Sequence, residues 1–403
     1  MIMAEEKKII AYKGFDKDMK YKDFQYEVGK KYQADEVFSW SNRLFNACES
    51  PLELWKHFDM LNSRFARVEA SGNIYRNRRF TEIRFSCIEI KEELNLADII
   101  KLGVKWLEDV TSPSNIKADN TLKYKDDKYA RIGLELTKIG SNDDDVHIGL
   151  NHDYAQIGLS GDYAQIGLSG SNARIGTSGN NAQIGSSGTC TQIGSSGNTA
   201  LIGSSGRFAH IGSSGFFAQI GSSGIVTRIG SSGNDALIGS IGSSAYIGSS
   251  GSNAQIGSSG DYAQIVSSGF CATIGAIGHS AKIGSSGDCA NIMSSGNNAC
   301  IGSSGRSVLI KSSGDLAMIA SSGEYAEIDS TGENSAIMCT GCLSKVKAKK
   351  GSWITLAEWE RSPDNAKKYL IPVCVRTEYV DGERIKADTW YRLINGKFKE
   401  VQP

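Results

Sequence analysis

The chain has 403 residues, enough for two or three domains, and its 44 basic residues balance its 44 acidic ones. This balance excludes the strongly basic composition of many nucleic-acid-binding proteins, and no apolar run approaches the roughly 20 residues of a membrane span. The first ten residues lack the apolar core of a signal peptide, and the nine cysteines are scattered, so we expect a reduced, cytoplasmic protein.

The sequence pattern of residues 1–110 predicts an α+β domain. The predicted strands cover residues 9–12, 64–70 and 80–90. Ser50, followed by Pro51 and Glu53, has the pattern of a helix N-cap. Asn95 is predicted to cap a second amphipathic helix.

Several short motifs in this domain carry a resemblance to a known family. They are residues 12–15 (YKGF), residues 24–29 (FQYEVG) with Tyr32, residues 47–52 (ACESPL), the strand at residues 64–69, and Ser71-Gly72. With these motifs the segment resembles an uncharacterised domain family that is common in phages and prophages and often precedes small-residue repeats. Many members have a histidine where this chain has Asn46. The resemblance implies a phage or prophage origin and no known activity.

A looser likeness connects the same segment to ADP-ribosyltransferases. It is carried by Tyr12, Gly14 and a late acidic strand residue, either Glu82 or Glu89. A nicotinamide-binding cleft needs a complete set of such residues, and no motif here is complete. A degenerate transferase-like domain is therefore the alternative, and a domain without enzymatic activity is the prediction.

Residues 111–128 are polar and predict a linker, and residues 129–342 predict a repeat domain. Residues 130–133 (ARIG) resemble a repeat unit that is out of register. An exposed strand edge at the end of a stack recruits other chains unless it is covered. We expect this irregular coil and the N-terminal domain to cover that end.

The repeat is defined by an isoleucine at every ninth position from Ile139 to Ile337, 23 times without a gap. Two residues earlier stands alanine in 17 units and another small residue in the other six, while the residue between them varies. This alternation predicts a strand with alanine and isoleucine inside. Four residues after the isoleucine, all 21 units from Gly161 to Gly341 have glycine. We expect a Ser-Ser-Gly turn in which glycine has positive φ.

A single strand of this kind cannot bury its apolar side, so the fixed period predicts a parallel β-solenoid. Two units form a flattened coil of 18 residues, and the 198-residue span then holds 11 coils, a rod of roughly 50 Å. A three-sided coil of 27 residues is the alternative. Ile241 and Ile277 both replace a turn serine and lie an even number of units apart, which favours two units per coil.

The nine-residue period resembles the calcium-binding repeats of secreted bacterial toxins, and there is some likeness to the small-residue repeats of trimeric adhesin heads. Calcium requires several charged oxygen ligands, and this turn has no recurring aspartate. We therefore predict a solenoid without a metal or other cofactor.

Two local clusters are weighed as metal sites. His147 and His152 lie near residues 143–145 and 153, which are aspartates, and an exposed acidic turn is predicted there. Cys339 and Cys342 form a Cys-x-x-Cys pair, but a zinc site needs further ligands at suitable spacing. We expect these cysteines to be small residues of the last coil.

Residues 343–403 have a different composition and predict an antiparallel β domain. Residues 353–359 read as a strand, and Asn395-Gly396 favours a tight hairpin turn. We expect this hairpin domain to cap the solenoid and to be the surface for any homo-oligomer.

Exposed aromatic residues in the variable turn positions are the candidate partner-binding set. They are Tyr154, Tyr163, Phe208, Phe216, Phe217, Tyr262 and Phe270. The predicted protein is mainly β, with an N-terminal α+β cap, a parallel β-solenoid and a C-terminal hairpin cap. Its predicted function is non-enzymatic protein–protein recognition, with a host factor as partner in the host-cell cytoplasm if the chain is phage-encoded. A structural part of a virion or surface is the alternative.

A mimic of DNA is disfavoured by the charge of the repeats. Residues 138–341 contain 7 basic and 13 acidic residues, a net charge of −6 over some 200 residues. That is a weak field for a molecule that must imitate a dense row of phosphates.

Overall fold

The computed structural model describes most of the chain. The described residues are 8–21, 24–34, 44–58, 63–76, 82–110, 131–133, 136–363 and 369–402. The linker predicted at residues 111–128 lies outside them.

The N-terminal domain is a small, closed barrel with two short helical segments. Its elements are β1 (Ile9–Phe15), β2 (Lys20–Tyr21), β3 (Phe24–Gln25), β4 (Lys31–Gln33), β5 (Phe45–Cys48), the 3-10 helix η1 (Pro51–Lys56), β6 (Arg64–Arg76), β7 (Glu82–Leu94) and helix α1 (Leu96–Val110). Strands β5 and β6 each pair with both β1 and β7, which closes the ring, and β4 adds to β7. Phe15, Phe45 and Phe85 fill the interior. The three predicted strands correspond to β1, β6 and β7.

The two predicted helix N-caps, Asn95 and Ser50, differ in their side-chain hydrogen bonds. The Asp98 N–H donates to Asn95 Oδ1 at 2.9 Å, and the Asn95 N–H donates to Asp98 Oδ2 at 3.1 Å, so the cap is reciprocal. Ser50 is the N-cap of η1, followed by Pro51 and Glu53 as predicted, but its side chain makes no cap hydrogen bond. Its hydroxyl instead donates to Gln219 Oε1 of the solenoid at 2.9 Å.

Each nonapeptide contributes one short strand to the solenoid. The strands are β8 (Arg131–Gly133), β9 (Leu136–Ser141), β10 (His147–Leu150), β11 (Gln156–Leu159), β12 (Gln165–Leu168), β13 (Arg174–Thr177), β14 (Gln183–Ser186), β15 (Gln192–Ser195), β16 (Leu201–Ser204), β17 (His210–Ser213), β18 (Gln219–Ser222), β19 (Arg228–Ser231), β20 (Leu237–Ser240), β21 (Tyr246–Ser249), β22 (Gln255–Ser258), β23 (Gln264–Ser267), β24 (Thr273–Ala276), β25 (Lys282–Ser285), β26 (Asn291–Ser294), β27 (Cys300–Ser303), β28 (Leu309–Ser312), β29 (Met318–Ser321), β30 (Glu327–Ser330), β31 (Ala336–Cys339) and β32 (Lys345–Ala348).

The strands pair in parallel with a register of 18 residues, so the coil has two units, as predicted. Ile184 pairs with Ile202 in one sheet, and Ile193 pairs with Ile211 in the other. From β9 to β32 the odd-numbered strands belong to a 15-stranded sheet and the even-numbered strands to a 14-stranded sheet. We call them the odd sheet and the even sheet. They form about 12 coils between residues 139 and 356.

The interior consists of columns of isoleucine, alanine and serine. The isoleucines and alanines are buried, which confirms the predicted inward positions. The first serine of each Ser-Ser-Gly was assigned to the turn, but it is the last residue of the strand. Because side chains alternate along a strand, it points inward two residues after the isoleucine; Ser204 and Ser222 are fully buried.

The repeated glycine has a different role from the predicted one. Its φ is not positive; the residue two positions later has positive φ, as in Phe217 (58°) and Val226 (57°). A Cβ on Gly215 would lie 1.9 Å from the carbonyl oxygen of Gly197, which is one coil away. Glycine is required because stacked turns approach each other through their backbones.

The N-terminal domain lies on the side of the solenoid, which corrects the prediction that it covers the end. Helix α1 packs against β16, β18 and β20, and η1 packs against β20. The outermost strand of the odd sheet at the N-terminal end is β8, which pairs antiparallel with β9. This strand corresponds to the irregular coil predicted at residues 130–133.

At the C-terminal end, each sheet finishes in an antiparallel pair, as predicted. The strands are β33 (Trp353–Arg361), β34 (Leu370–Tyr379), β35 (Trp390–Ile394) and β36 (Lys397–Glu400). In the odd sheet β33 stacks in parallel on β31 and pairs antiparallel with β34; in the even sheet β35 pairs antiparallel with β32 and β36. Asn395 and Gly396 have positive φ and form the predicted hairpin turn.

The close approach at the turn glycine gives a first prediction. Gly215→Ala should lower the stability by about 1–3 kcal/mol, because the added methyl group forces two stacked backbones apart. Gly230→Ala is the matched control, since a Cβ there meets no atom within 4 Å. Thermal unfolding followed by circular dichroism measures both. Equal melting temperatures for the two variants would contradict the assignment.

The positive φ two residues after the turn glycine gives a second prediction. Positive φ destabilises a β-branched residue by about 1–2 kcal/mol and destabilises asparagine less. Val226→Asn should therefore raise the melting temperature, and the reverse change at an equivalent position, Asn172→Val, should lower it. A stabilising effect of the second substitution would argue against backbone strain at this position.

Candidate functional site

The outer face of the odd sheet contains a long trough. The residue after each isoleucine faces outward, and in seven successive strands of this sheet it is an exposed or half-buried glycine. These glycines are Gly140, Gly158, Gly176, Gly194, Gly212, Gly230 and Gly248. Stacked strands lie about 4.8 Å apart, so the trough is about 30 Å long. We call it the open groove.

The open groove has two walls built from the neighbouring outward positions. One wall consists of Gln156, Arg174, Gln192, His210, Arg228, Tyr246 and Gln264, and the other of Ser160, Ser178, Ser196, Ser214, Ser232, Ser250 and Ser268. The groove ends at Val266, which replaces the next glycine and is 61% exposed. The same column later contains Ala320 and Met338, so side chains are compatible with this position.

The strands beneath the open groove carry cationic side chains, and one carboxylate, Asp143, lines its N-terminal end. Arg174, Arg228 and Lys282 occupy outward positions of the odd sheet from β11 to β25, together with His210. No outward position of these strands carries a carboxylate. These cations favour a ligand with acidic groups along the strands of the groove.

The even sheet has an equivalent trough that the chain itself fills. Its floor is Gly167, Gly185, Gly203, Gly221, Gly239, Gly257 and Gly275, and all seven are buried. A Cβ on Gly239 would lie 3.1 Å from Val104 Cγ2 of α1 and 3.5 Å from Leu52 Cδ1 of η1. The missing side chains allow these two residues to approach the sheet. We call this the covered groove.

The walls of the covered groove are more apolar than those of the open groove. Leu201 and Leu237 occupy the positions that correspond to His210 and Tyr246, and they cluster with Ile99 of α1. Ile241 and Ile277, which the sequence placed on one side of the coil, join the same cluster. The N-terminal domain is thus held by a hydrophobic contact and by the hydrogen bond from Ser50 to Gln219.

The seven predicted partner-binding aromatics are all at least 40% exposed, but they do not form one patch. Tyr163, Phe216, Phe217 and Phe270 lie in turns that follow strands of the odd sheet, and Tyr154, Phe208 and Tyr262 lie in turns that follow strands of the even sheet. The two sets occupy opposite edges of the solenoid. Their role in binding stays a prediction.

The cysteine pair lies in the core. Burial raises the pKa of the Cys339 thiol to about 12 and also raises the pKa of Cys342, so both thiols are poor nucleophiles at neutral pH. This agrees with the prediction of small residues in the last coil.

The acidic turn near His147 and His152 has a structural role. Asp144 Oδ1 accepts a hydrogen bond from the Asp162 N–H at 2.8 Å, and Asp153 Oδ1 accepts one from the Ser171 N–H. Within the described residues, no group of three or more His, Cys, Asp or Glu side chains is placed to hold a metal ion.

The structure places three of the residues that carry the likeness to ADP-ribosyltransferases. Tyr12 is 7% exposed and packs in the cluster that faces α1. A Cβ on Gly14 would lie 2.4 Å from the ring of Phe58, so this glycine makes room for the chain's own side chain. Glu89 forms an ion pair with Lys91 at the surface, with Lys91 Nζ 2.6 Å from Glu89 Oε1.

A buried lysine is a feature that the sequence did not single out. Lys13 is 2% exposed, and its ammonium donates to the carbonyl oxygen of Asn46 at 2.9 Å and to Asn46 Oδ1 at 3.0 Å. It also lies 3.9 Å from the centre of the Tyr21 ring. The charge is stabilised by two oxygen acceptors and a cation–π contact.

Comparison with known proteins identifies one segment. A family described as a domain of unknown function (DUF7666) matches residues 9–102, which include the barrel, η1 and the first half of α1. This is the region for which the sequence resembles an uncharacterised domain family. No curated protein and no solved structure matches the chain. None of the helices in the described residues has both the length and the apolarity of a membrane span.

The covered groove gives a third prediction. In Leu237→Lys an unpaired charge would be buried under α1 at a cost of several kcal/mol, so amide hydrogen exchange in α1 should accelerate by about a hundredfold or more. The strands of the solenoid should keep their protection. Leu309→Lys is the control, because Leu309 occupies the same position of the repeat on β28 and is already partly exposed. Unchanged hydrogen exchange in α1 would show that the contact with Leu237 contributes little to the stability of α1 on the solenoid.

Proposed function

We propose that the solenoid is a rigid, non-enzymatic scaffold that recognises another protein through the open groove. The observation that carries this proposal is the covered groove, where an equivalent glycine column on the other sheet packs against a helical segment of the N-terminal domain. The open groove has the same seven-glycine floor and about the same length, and it is exposed. A helix of about 20 residues matches its length of about 30 Å.

The walls of the open groove specify the chemistry of the partner. The covered groove has Leu201 and Leu237 in one wall and holds an apolar helix face. The open groove presents Arg174, His210 and Arg228 opposite a row of serine hydroxyls. An amphipathic helix with carboxylates along one side would satisfy these donors. The aromatic turn residues on both edges would add apolar contacts at the rim.

The resemblance of the N-terminal domain to phage and prophage sequences supports a finer proposal. If the chain is encoded by a phage, the partner is a host-cell protein whose action the solenoid blocks. A competing proposal, a structural role in a virion or at a surface, rests on the rigidity of the rod alone.

The fourth prediction tests recognition by filling the groove. Gly230→Met should leave the fold intact, because a Cβ there meets no atom within 4 Å and the same column already contains Met338. It should reduce recovery of a bound protein from lysate by tenfold or more, measured by quantitative mass spectrometry against the wild-type chain. Arg174→Gln with Arg228→Gln should reduce recovery too, and the loss should be larger at low salt.

The control for this experiment is Gly302→Met. Gly302 lies in the same column beyond Val266, and its Cβ position is also free of contacts. Recovery with this variant should equal that of the wild-type chain. A bound protein that is recovered equally well with Gly230→Met would exclude the open groove as its site. Recovery only together with virions would favour the structural role.

A further inference from the structure

The two outermost strands at the C-terminal end differ in how they are protected. Strand β36 has four residues, of which Lys397 and Lys399 carry the charges that discourage pairing at a sheet edge. Strand β34 has ten residues, contains no lysine and has no buried residue. It is the outermost strand of the odd sheet in the part of the chain that the structure describes. A long, apolar, uncovered edge of this kind favours the addition of another strand.

An apolar surface extends from this edge across the odd sheet. Val375 and Tyr379 of β34 are 57% and 40% exposed, and the Tyr379 ring lies 5.1 Å from the ring of Trp353 on β33. Met338 and Met318 on the next strands are also more than half exposed. This half of the sheet carries large apolar side chains, whereas the half with the open groove carries glycine and cationic residues. Patches of this type mark interaction surfaces.

We propose that β34 pairs antiparallel with β34 of a second copy of this chain, so that the odd sheets of two solenoids form one continuous sheet. The charges of the strand select this partner. When the pairing is centred on Thr377, Arg376 of each copy lies opposite Glu378 of the other, which gives two ion pairs. Val375 then lies opposite Tyr379 on the apolar face. In this register β34 is complementary to a second copy of itself across a two-fold axis.

Other features of the strand agree with this register. Pairing centred on Thr377 uses residues 374–380 and leaves out Pro372, which cannot donate a backbone hydrogen bond. Arg384 forms an ion pair with Glu378 at 2.5 Å and holds the Glu378 side chain at the edge. The surface is separate from the open groove, so this proposal does not depend on the proposed function.

The fifth prediction is tested by the oligomeric state of the full chain. Light scattering coupled to size-exclusion chromatography, over a range of concentrations, should give twice the 43.3 kDa of one chain. R376E should give a monomer, because two carboxylates then oppose each other at both pairs. R376E combined with E378R should restore the dimer. A wild-type chain that is monomeric at every concentration, or a dimer that is insensitive to R376E, overturns the proposal.

Cross-linking tests the register independently of the charges. Opposite residues of an antiparallel pair have Cα atoms about 4.5–5.5 Å apart, within reach of a disulfide. Thr377→Cys places a thiol on the two-fold axis and should form a covalent dimer under mild oxidation. Val375→Cys, which is equally accessible, lies about 13 Å from its own copy and should not. The wild-type chain, with exposed Cys190 and Cys289, gives the background. Equal cross-linking of both variants contradicts pairing centred on Thr377.

Discussion

The contact on which the whole solenoid depends is the one between a turn glycine and the backbone one coil away. A Cβ on Gly215 would lie within 2 Å of a carbonyl oxygen, and the same holds for most of the other turns. This contact fixes how closely the coils stack, and the stacking in turn brings each isoleucine onto the isoleucine 18 residues away. The asparagine and aspartate side chains in the turns support it, since Asn198 Oδ1 accepts the Phe216 N–H at 2.9 Å.

The same repeat produces two outer faces, of which the N-terminal domain covers one and leaves the other exposed. Both sheets have a column of outward glycines, and the difference lies in the residues beside it. Leucines such as Leu237 on the even sheet are paired with the apolar side of α1, whereas Arg228 and its neighbours on the odd sheet remain exposed. The N-terminal domain therefore shields one face and leaves the other available. The asymmetry arises from a few variable positions in an otherwise uniform array.

The sequence predicts the repeating part of the fold well, because the positions of isoleucine and alanine report burial directly. It did not reveal why the turn glycine is needed, since positive φ and close backbone approach both exclude side chains. The true positive-φ position was hidden by its variability, which includes Val226 and Phe217. The place of the N-terminal domain was also hidden, because it depends on complementary surfaces. Only Ile241 and Ile277, two apolar residues in otherwise polar turns on one side of the coil, pointed to it. The open groove was missed because the glycine after each isoleucine was given no role.

The two-unit coil has a consequence for how such a chain can change in length. Gain or loss of 18 residues moves everything beyond it along the axis by one layer and keeps each face in place. Gain or loss of nine residues exchanges the faces beyond the event. Such a change between β13 and β16 would bring the leucines that hold α1 onto the same face as Arg174 and rearrange the whole exposed surface. Gain or loss of whole coils is therefore the change in repeat number that preserves the identity of both faces.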